Sequence, residues 1–325
     1  MTSTGVVVGK FLPPHLGHSY LIDTALAGAD RVVVVVCARP DDPFPAERRA
    51  AVLRELHPAA TVVVTPDDIP DGQGDATSEA WAHRTVALLG GTPPDVVFTS
   101  EGYGERYAAF LGARHVCVDR ERRRFPVSGT AVRADPWRYA NLLSPAVRAW
   151  FVTRVCVLGA ESTGTTTLAR DLADHYRCEW VPEYGRAYSE RRPAVGWRRE
   201  EFVHIARCQQ SDEDAAARRS GPLLICDTDA LATSVWHERY VGTVSPEVER
   251  LAAARTYALY ILTADDIPFV QDGTRDGEHV RGWMTHRFRR LLEARPEPWI
   301  EVRGDRPARL AAATARIDAL RKGTS

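Results

Sequence analysis

Residues 6–21, VVVGKFLPPHLGHSYL, decide how this chain is read. Val6, Val7 and Val8 form a β-branched apolar run of strand type, Gly9 ends it, and Pro13 and Pro14 hold the next residues out of helix. In the following SYLIDTALAGA the apolar residues return at helical spacing. The stretch therefore predicts a strand, a loop and a helix. A helix starting near Gly17 aims unpaired main-chain N–H groups and the positive end of its dipole into that loop, which suits a phosphate. His15 and His18 straddle the helix start, where both can donate to phosphoryl oxygens, and Lys10 adds a full positive charge.

The rest of the composition sets bounds. At 325 residues the chain is long for one domain, and two is the natural expectation. A formal net charge of -1 gives no broad attraction to nucleic acid or an anionic membrane, so small acidic ligands in local positive pockets are expected instead. Lys10 and Lys322 are the two lysines, which makes Lys10 conspicuous. Six cysteines form no C-x-x-C pair, and Cys37, Cys117, Cys156 and Cys226 sit in or beside apolar runs as small hydrophobes, in keeping with a reducing cytoplasm. No run approaches the roughly 18 apolar residues of a membrane span, and residues at the start lack the pattern of a secretion signal.

Strand-like runs at 31–38, 61–65, 95–100 and 115–119 alternate with helical stretches at 45–56 and 75–90. That alternation predicts an α/β domain with a doubly wound parallel sheet, whose ligands sit at the carboxyl ends of strands. RVVVVVCA at 31–38 is apolar without a break, as expected of a strand covered on both faces. In VSGTAVR, at 127–133, Ser128, Gly129 and Thr130 open a second helix toward an anion and Arg133 lies one turn in.

Phe11, Pro13, His15, Gly17 and His18 make an FxPxHxGH pattern, and VSGTAVR follows about a hundred residues later. Together they resemble the two signatures of the nucleotidylyltransferase superfamily, which joins a nucleoside triphosphate to a phosphorylated acceptor and releases pyrophosphate. The resemblance implies ATP phosphates held by Gly9, Phe11, Gly17, Ser128, Gly129 and Thr130, with Lys10, His15, His18, Arg133 and Mg²⁺ neutralising charge on reactants held in line. With FTSEGYGERYA at 98–108, the first half is similar to the adenylyltransferase half of the bifunctional nicotinamide-nucleotide adenylyltransferase and ribosylnicotinamide kinase (NadR-like) family. This implies nicotinamide mononucleotide as acceptor and NAD as product, with acceptor contacts from Ser100, Glu101 and Tyr103. Trp81 either stacks on the cationic pyridinium or packs as a core-facing aromatic.

The second half repeats the theme. Residues 137–153 look helical, and the domain boundary is expected near Phe151, giving a nucleotidylyltransferase domain at 1–150 and a P-loop kinase-like domain at 151–325. A buried strand at 154–159 leads into GAESTGTTTLARDLADHY, the strand-loop-helix layout of a P-loop. Its loop comprises Gly159, Glu161, Ser162, Thr163, Gly164, Thr165, Thr166 and Thr167, with the Thr166 hydroxyl available to Mg²⁺. Thr165 stands where a lysine is usual, so phosphoryl transfer needs an arginine in its place: Arg186, Arg275 or Arg281. PLLICDTD at 222–229 is a strand ending in Asp227 and Asp229, the layout of an acid that orders Mg²⁺. WVPEYGR at 180–186 sets Glu183, Tyr184 and Arg186 after another strand, where a nucleoside binds, and 267–281, with Asp272, Arg275 and Arg281, has the make-up of a lid.

In the order ESTG, EYGR, DTD, DGTR these segments resemble the ribosylnicotinamide kinase half of the same family, so the resemblance covers about residues 5–305. It implies a second, ATP-dependent activity, with Asp227 catalytic and Asp227, Asp229 and Glu183 all open for the role of base. The alternative is a single-activity adenylyltransferase whose lysine-less second domain serves as a nucleotide sensor or assembly module. Enteric members carry an N-terminal helix-turn-helix; this chain enters its first strand by about residue 5, so no DNA binding is expected. The expected partners are small molecules, with neither nucleic acid nor membrane, and a homo-oligomer is compatible with this reading.

Overall fold

The unbroken apolar runs become the inner strands of two parallel sheets. The computed structural model describes residues 2–70, 74–193, 195–270 and 277–323. Contacts divide the chain into two units, Met1–Trp150 and Phe151–Ser325.

In the first unit β1 (Thr4–Gly9), β2 (Arg31–Ala38), β3 (Thr61–Pro66), β4 (Val96–Thr99) and β5 (Arg114–Cys117) lie in the order β3-β2-β1-β4-β5, all parallel. The helices are α1 (Leu16–Gly28), α2 (Ala46–Leu56), α3 (Asp75–Leu88), α4 (Gly104–Leu111), α5 (Gly129–Ala134) and α6 (Pro145–Arg148). Alternate valines of β2 explain its lack of polar residues. Val32, Val34 and Val36 join Val7, Ile22 and Leu53 in one core cluster, whereas Val33 and Val35 join Val6, Val97 and Tyr107 in another. Strand order reverses on either side of β1, and a doubly wound sheet opens its ligand crevice at the carboxyl end of such a strand. Residues 137–153 do not form the single helix expected of them. A 3₁₀ turn at Ala140–Leu142 precedes α6, because Ser144 caps a new helix, its Oγ accepting from the Val147 N–H at 3.3 Å, and Pro145 occupies the first turn.

The second unit orders β6 (Thr153–Gly159), β7 (Glu179–Val181), β8 (Leu223–Asp227), β9 (Leu259–Thr263) and β10 (Trp299–Val302) as β10-β9-β6-β8-β7, again all parallel. Its helices are α7 (Thr165–Tyr176), α8 (Tyr184–Ser189), α9 (Arg199–Arg219), α10 (Ala230–Val241), α11 (Pro246–Ala253), α12 (Arg281–Glu293) and α13 (Arg306–Gly323). Leu168 and Leu172 of α7 pack on Val155 and Val157 of β6, which fixes the helix N-terminus above the strand's end. Val157 pairs with Asp227, so the loop after β6 and the acid ending β8 share one rim of the sheet. Among the described residues, no helix is long and apolar enough to cross a membrane.

Candidate active sites

At the carboxyl end of β1 the main chain reverses through Phe11, which adopts φ 51° with its ring buried. A left-handed aromatic residue is a strained one, and here it sets the ring edge-on against His18 at 5.0 Å. His15 caps α1. The His15 N–H donates to His18 Nδ1 at 3.3 Å, and the two imidazoles stack with centroids 3.7 Å apart. Burial and the neighbouring Arg122 charge push His15 down to about 4; burial, His15 and Arg122 hold His18 well below the usual imidazole range. Both rings are therefore neutral at pH 7. Because His18 Nδ1 accepts, its proton sits on Nε2, which leaves that atom as a donor.

The second signature folds directly onto the first. A Cβ at Gly129 would lie 2.3 Å from the Leu12 carbonyl oxygen, so only glycine allows α5 this close approach. Arg133 donates to the same oxygen at 2.5 Å and to Thr130 Oγ1 at 3.3 Å. Ser128 caps α5, its Oγ accepting from the Ala131 N–H at 3.1 Å. Gly17 lies beneath His15, 3.1 Å from its ring by the same measure, and Gly9 packs against Phe11. Lys10 forms an ion pair with Asp67 at 3.4 Å, an acid also held by Arg39 at 2.8 Å. Behind the loop, the fully buried Arg49 donates to the carbonyls of Cys37 and Phe44 at 2.9 Å each and to that of Lys10, and pairs with Asp42 at 2.5 Å.

On the β4 side, Tyr103 donates to the Val8 carbonyl at 3.4 Å, and burial raises its phenol. Glu101 pairs with Arg122 at 3.1 Å, and Ser100 is half-buried at the strand's end. Trp81 packs partly buried against the cluster of Val6, Val33 and Tyr107, with Arg84 5.8 Å over its ring.

In the second unit Gly159 ends β6 where a Cβ would meet Thr263 Oγ1 at 2.2 Å. Ser162 and Gly164 have φ 59° and 82°, and this left-handed pair curls the chain into a loop opening onto the N-terminus of α7. Thr163 does not face a phosphate. It is fully buried, with Oγ1 donating to the Ala160 carbonyl at 2.6 Å and lying 2.7 Å from Thr263 Oγ1, so it staples the loop from behind. Arg281, one of the proposed stand-ins for lysine, donates to the carbonyls of Ser162 at 3.3 Å and Ile267 at 3.0 Å. Asp272 and Arg275 lie outside the described residues.

Gly159, Glu161, Ser162, Gly164, Thr165, Thr166 and Thr167 border a cavity of about 480 Å³ that Glu183 and Arg186 also line. Asp227 lies buried below it with no hydrogen bond to either carboxylate oxygen. Burial raises its pKa to about 6, against the opposing pull of the Thr166 hydroxyl, Arg170, Arg186 and the Thr165 hydroxyl. An orphaned carboxylate beside a threonine hydroxyl fits a hard cation such as Mg²⁺, which takes one or two protein oxygens and completes its shell from phosphate and water. Asp229 has a different role from the one its sequence position suggested. It caps α10, accepting from the Ala232 N–H and from Tyr260 OH at 2.9 Å each, and both of its oxygens are taken. Tyr184 also turns away; its hydroxyl lies 3.2 Å from His204 Nε2 on α9.

The far wall of the cavity was missed in the sequence. Trp197, Phe202, Trp236 and Tyr240 line it, with Trp236 and Tyr240 stacked at 6.1 Å and Trp197 5.3 Å from Tyr240. The spacing of Trp236 and Tyr240, one helical turn apart, was the available signal.

Residues 6–135 match the cytidylyltransferase-like family and residues 154–309 match an AAA domain. The trifunctional NAD biosynthesis/regulator protein NadR of Escherichia coli (strain K12) is 27% identical over 296 residues, covering 83% of this chain and 71% of that protein; its Salmonella typhimurium counterpart matches equally. Crystal structures of a NadR protein in complex with NR, and in complex with NAD and AMP-PNP, are similar with TM-scores of 0.77 and 0.74. Their identities are 22% and 21%, and each match covers 98% of this chain and 96% of the other.

Proposed function

We propose, for a chain that belongs to the NadR-like family, two activities at separate sites: adenylyl transfer from ATP to nicotinamide mononucleotide in the first unit, and ATP-dependent phosphorylation of ribosylnicotinamide in the second. The observation that carries the first is the meeting of both signatures on one carbonyl, where Gly129 and Arg133 of α5 close on Leu12 beside the stacked histidines. The acceptor phosphate oxygen attacks the α-phosphorus of ATP and pyrophosphate leaves. His18 Nε2–H donates to a phosphoryl oxygen, and the arriving negative charge raises the imidazole pKa, so donation strengthens as charge develops. Lys10 and Arg133 neutralise the flanking phosphates, Lys10 exchanging Asp67 for a phosphate oxygen.

In the second unit the aromatic wall of Trp197, Trp236 and Tyr240 suits a flat cationic pyridinium, and the P-loop suits the triphosphate across the same cavity. Glu183 takes the proton of the ribose hydroxyl, whose oxygen attacks the γ-phosphorus while ADP leaves. It borders the cavity and neither Asp227 nor Asp229 does, which supports Glu183 as the base. Arg186, also on the cavity, stands in for the missing lysine. Thr166 and Asp227 would hold Mg²⁺, which when bound neutralises the phosphates. The cytoplasm is the proposed setting.

Purified protein given ATP, Mg²⁺ and nicotinamide mononucleotide should form NAD and pyrophosphate; no NAD means the first assignment is wrong. Thr165 favours the second reading, a domain that binds nucleotide without transferring phosphate. Ribosylnicotinamide-dependent ADP release by the unmodified chain, lost in Asp227→Ala, would exclude it.

A further inference from the structure

Arg309 is 4% exposed at the start of α13, far in sequence from every motif discussed above. All three nitrogens of its guanidinium are engaged. Nη1 donates to the Thr163 carbonyl at 2.5 Å, Nη2 to the Ala264 carbonyl at 3.0 Å and to Asp266, and Nε to the Gly304 carbonyl at 2.8 Å. Thr163 is the central residue of the phosphate loop, and Ala264 directly follows β9. One side chain therefore ties the loop after β6 to the end of β9 and to the turn after β10.

A phosphate loop works by converging main-chain N–H groups on an anion, and a carbonyl turned the same way would repel it. The carbonyls must point elsewhere, and buried carbonyls need donors. In this chain Ala160 O receives the Thr163 hydroxyl, Ser162 O receives Arg281 and Thr163 O receives Arg309. Arg309 is the most buried of the cationic donors, and its Nη1 would lie 3.8 Å from a Cβ at Gly164, the left-handed residue that turns the loop into α7. Thr165 gives the loop no charged side chain of its own with which to pull phosphate in. Phosphate affinity then depends on how well the backbone is held.

We propose that Arg309 is a positioning residue for the second unit's triphosphate site, turning the Thr163 carbonyl away from the phosphates so that the lysine-less loop presents only N–H groups. The inference rests on the reading that this unit transfers phosphate from ATP. It assigns Arg309 no contact with substrate.

The test is steady-state ADP formation by the full chain with ATP and ribosylnicotinamide varied separately, for the unmodified protein, Arg309→Met and Arg309→Lys. Arg309→Met should raise KM for ATP about 10-fold to 100-fold, the scale of losing hydrogen bonds to a charged donor, while KM for ribosylnicotinamide stays within about twofold. Arg309→Lys, which keeps the charge and one donor, should fall between. Thermal unfolding of the second unit in the same preparations reports whether its fold survives, and NAD formation from nicotinamide mononucleotide, a reaction of the first unit, should be unchanged. An unchanged KM for ATP in Arg309→Met overturns the proposal. If Arg309→Met does not fold, an unchanged KM for ATP in Arg309→Lys overturns it equally, and a rise confined to ATP supports it. An unmodified protein with no ribosylnicotinamide-dependent ADP release overturns the kinase reading and this inference together.

Discussion

In the proposed reading the two units grip phosphate with different kinds of group. The first puts side chains in front of the loop, with two neutral, stacked imidazoles, a lysine and an arginine at the carboxyl end of β1. The second puts the main chain in front and a buried carboxylate beneath it. Behind the loop they converge. Arg49 in one and Arg309 in the other each take three main-chain carbonyls and one carboxylate while nearly shielded from water. A loop whose N–H groups face a ligand must dispose of its carbonyls, and a guanidinium's fork of donors can serve several at once.

The sharpest way to break this comparison is to remove one grip and leave the other. His18→Ala should lower adenylyl transfer by about a thousandfold, the scale of losing a preorganised donor to developing charge, with ribosylnicotinamide phosphorylation unchanged. Asp227→Ala should do the reverse. Separate initial-rate assays of NAD and ADP formation on each variant check this, and a variant that abolishes both would show that the sites are not independent. Next in size is Arg49→Met. It strands Asp42, which pairs with Arg49 at 2.5 Å, together with the Cys37 and Phe44 carbonyls, and should destabilise the first unit by about 3 kcal/mol. Denaturant unfolding followed for that unit would show it; a loss under about 1 kcal/mol would mean these carbonyls find water instead.

The sequence disclosed the parts of this arrangement that repeat a pattern and concealed those that depend on backbone curvature. RVVVVVCA could only be a strand covered on both faces, and Gly159 could only be followed by a turn, so both sheets and both loops were legible. Arg49 and Arg309 were not, because in an arginine-rich chain a helical arginine looks like a solvated one until three carbonyls are seen to curl around it. Asp227 and Asp229 were read together as two acids ending one apolar strand. The strand ends at Asp227, however, and Thr228 turns left-handed at φ 72°, which sends Asp229 under α10. Lys10 was conspicuous in the sequence, but its partner Asp67 comes from the loop after β3 and had no signal of its own.

The glycines give a sterically parallel pair of tests. A methyl at Gly129 would press on the Leu12 carbonyl at 2.3 Å, and one at Gly159 on Thr263 Oγ1 at 2.2 Å. Gly129→Ala and Gly159→Ala should each cost about 2 kcal/mol, as overpacking usually does, and each should impair only its own unit's reaction. The nearest obstacle at Gly129 is backbone while that at Gly159 is a side chain, with Thr163 Oγ1 at 2.7 Å and the Thr263 carbonyl at 3.0 Å behind it. Thr263→Ala should therefore relieve Gly159→Ala only in part, and nothing comparable is available at position 129.

The smallest expected effect separates the units by sign. His15 has its pKa lowered from 6.5 to about 4 by burial and Arg122, so between those values the unfolded chain binds more protons than the native one. Stability then falls as pH falls, and His15 alone should cost the first unit about 2 kcal/mol between pH 7 and pH 5. Asp229 runs the other way: burial raises it from 3.8 to about 6, the native state binds the extra proton, and acid relieves the strain of the buried charge. Its contribution is present at low pH and lost as pH rises through about 6, a gain on the order of 1 kcal/mol for the second unit over the same interval. Hydrogen-exchange protection of the β2 and β8 amides at pH 5 and pH 7, corrected for intrinsic rates, reads both units in the intact chain. Protection should fall in β2 and rise in β8. If both move the same way, neutral imidazoles in one loop and buried carboxyl groups behind the other are not what sets the two grips apart.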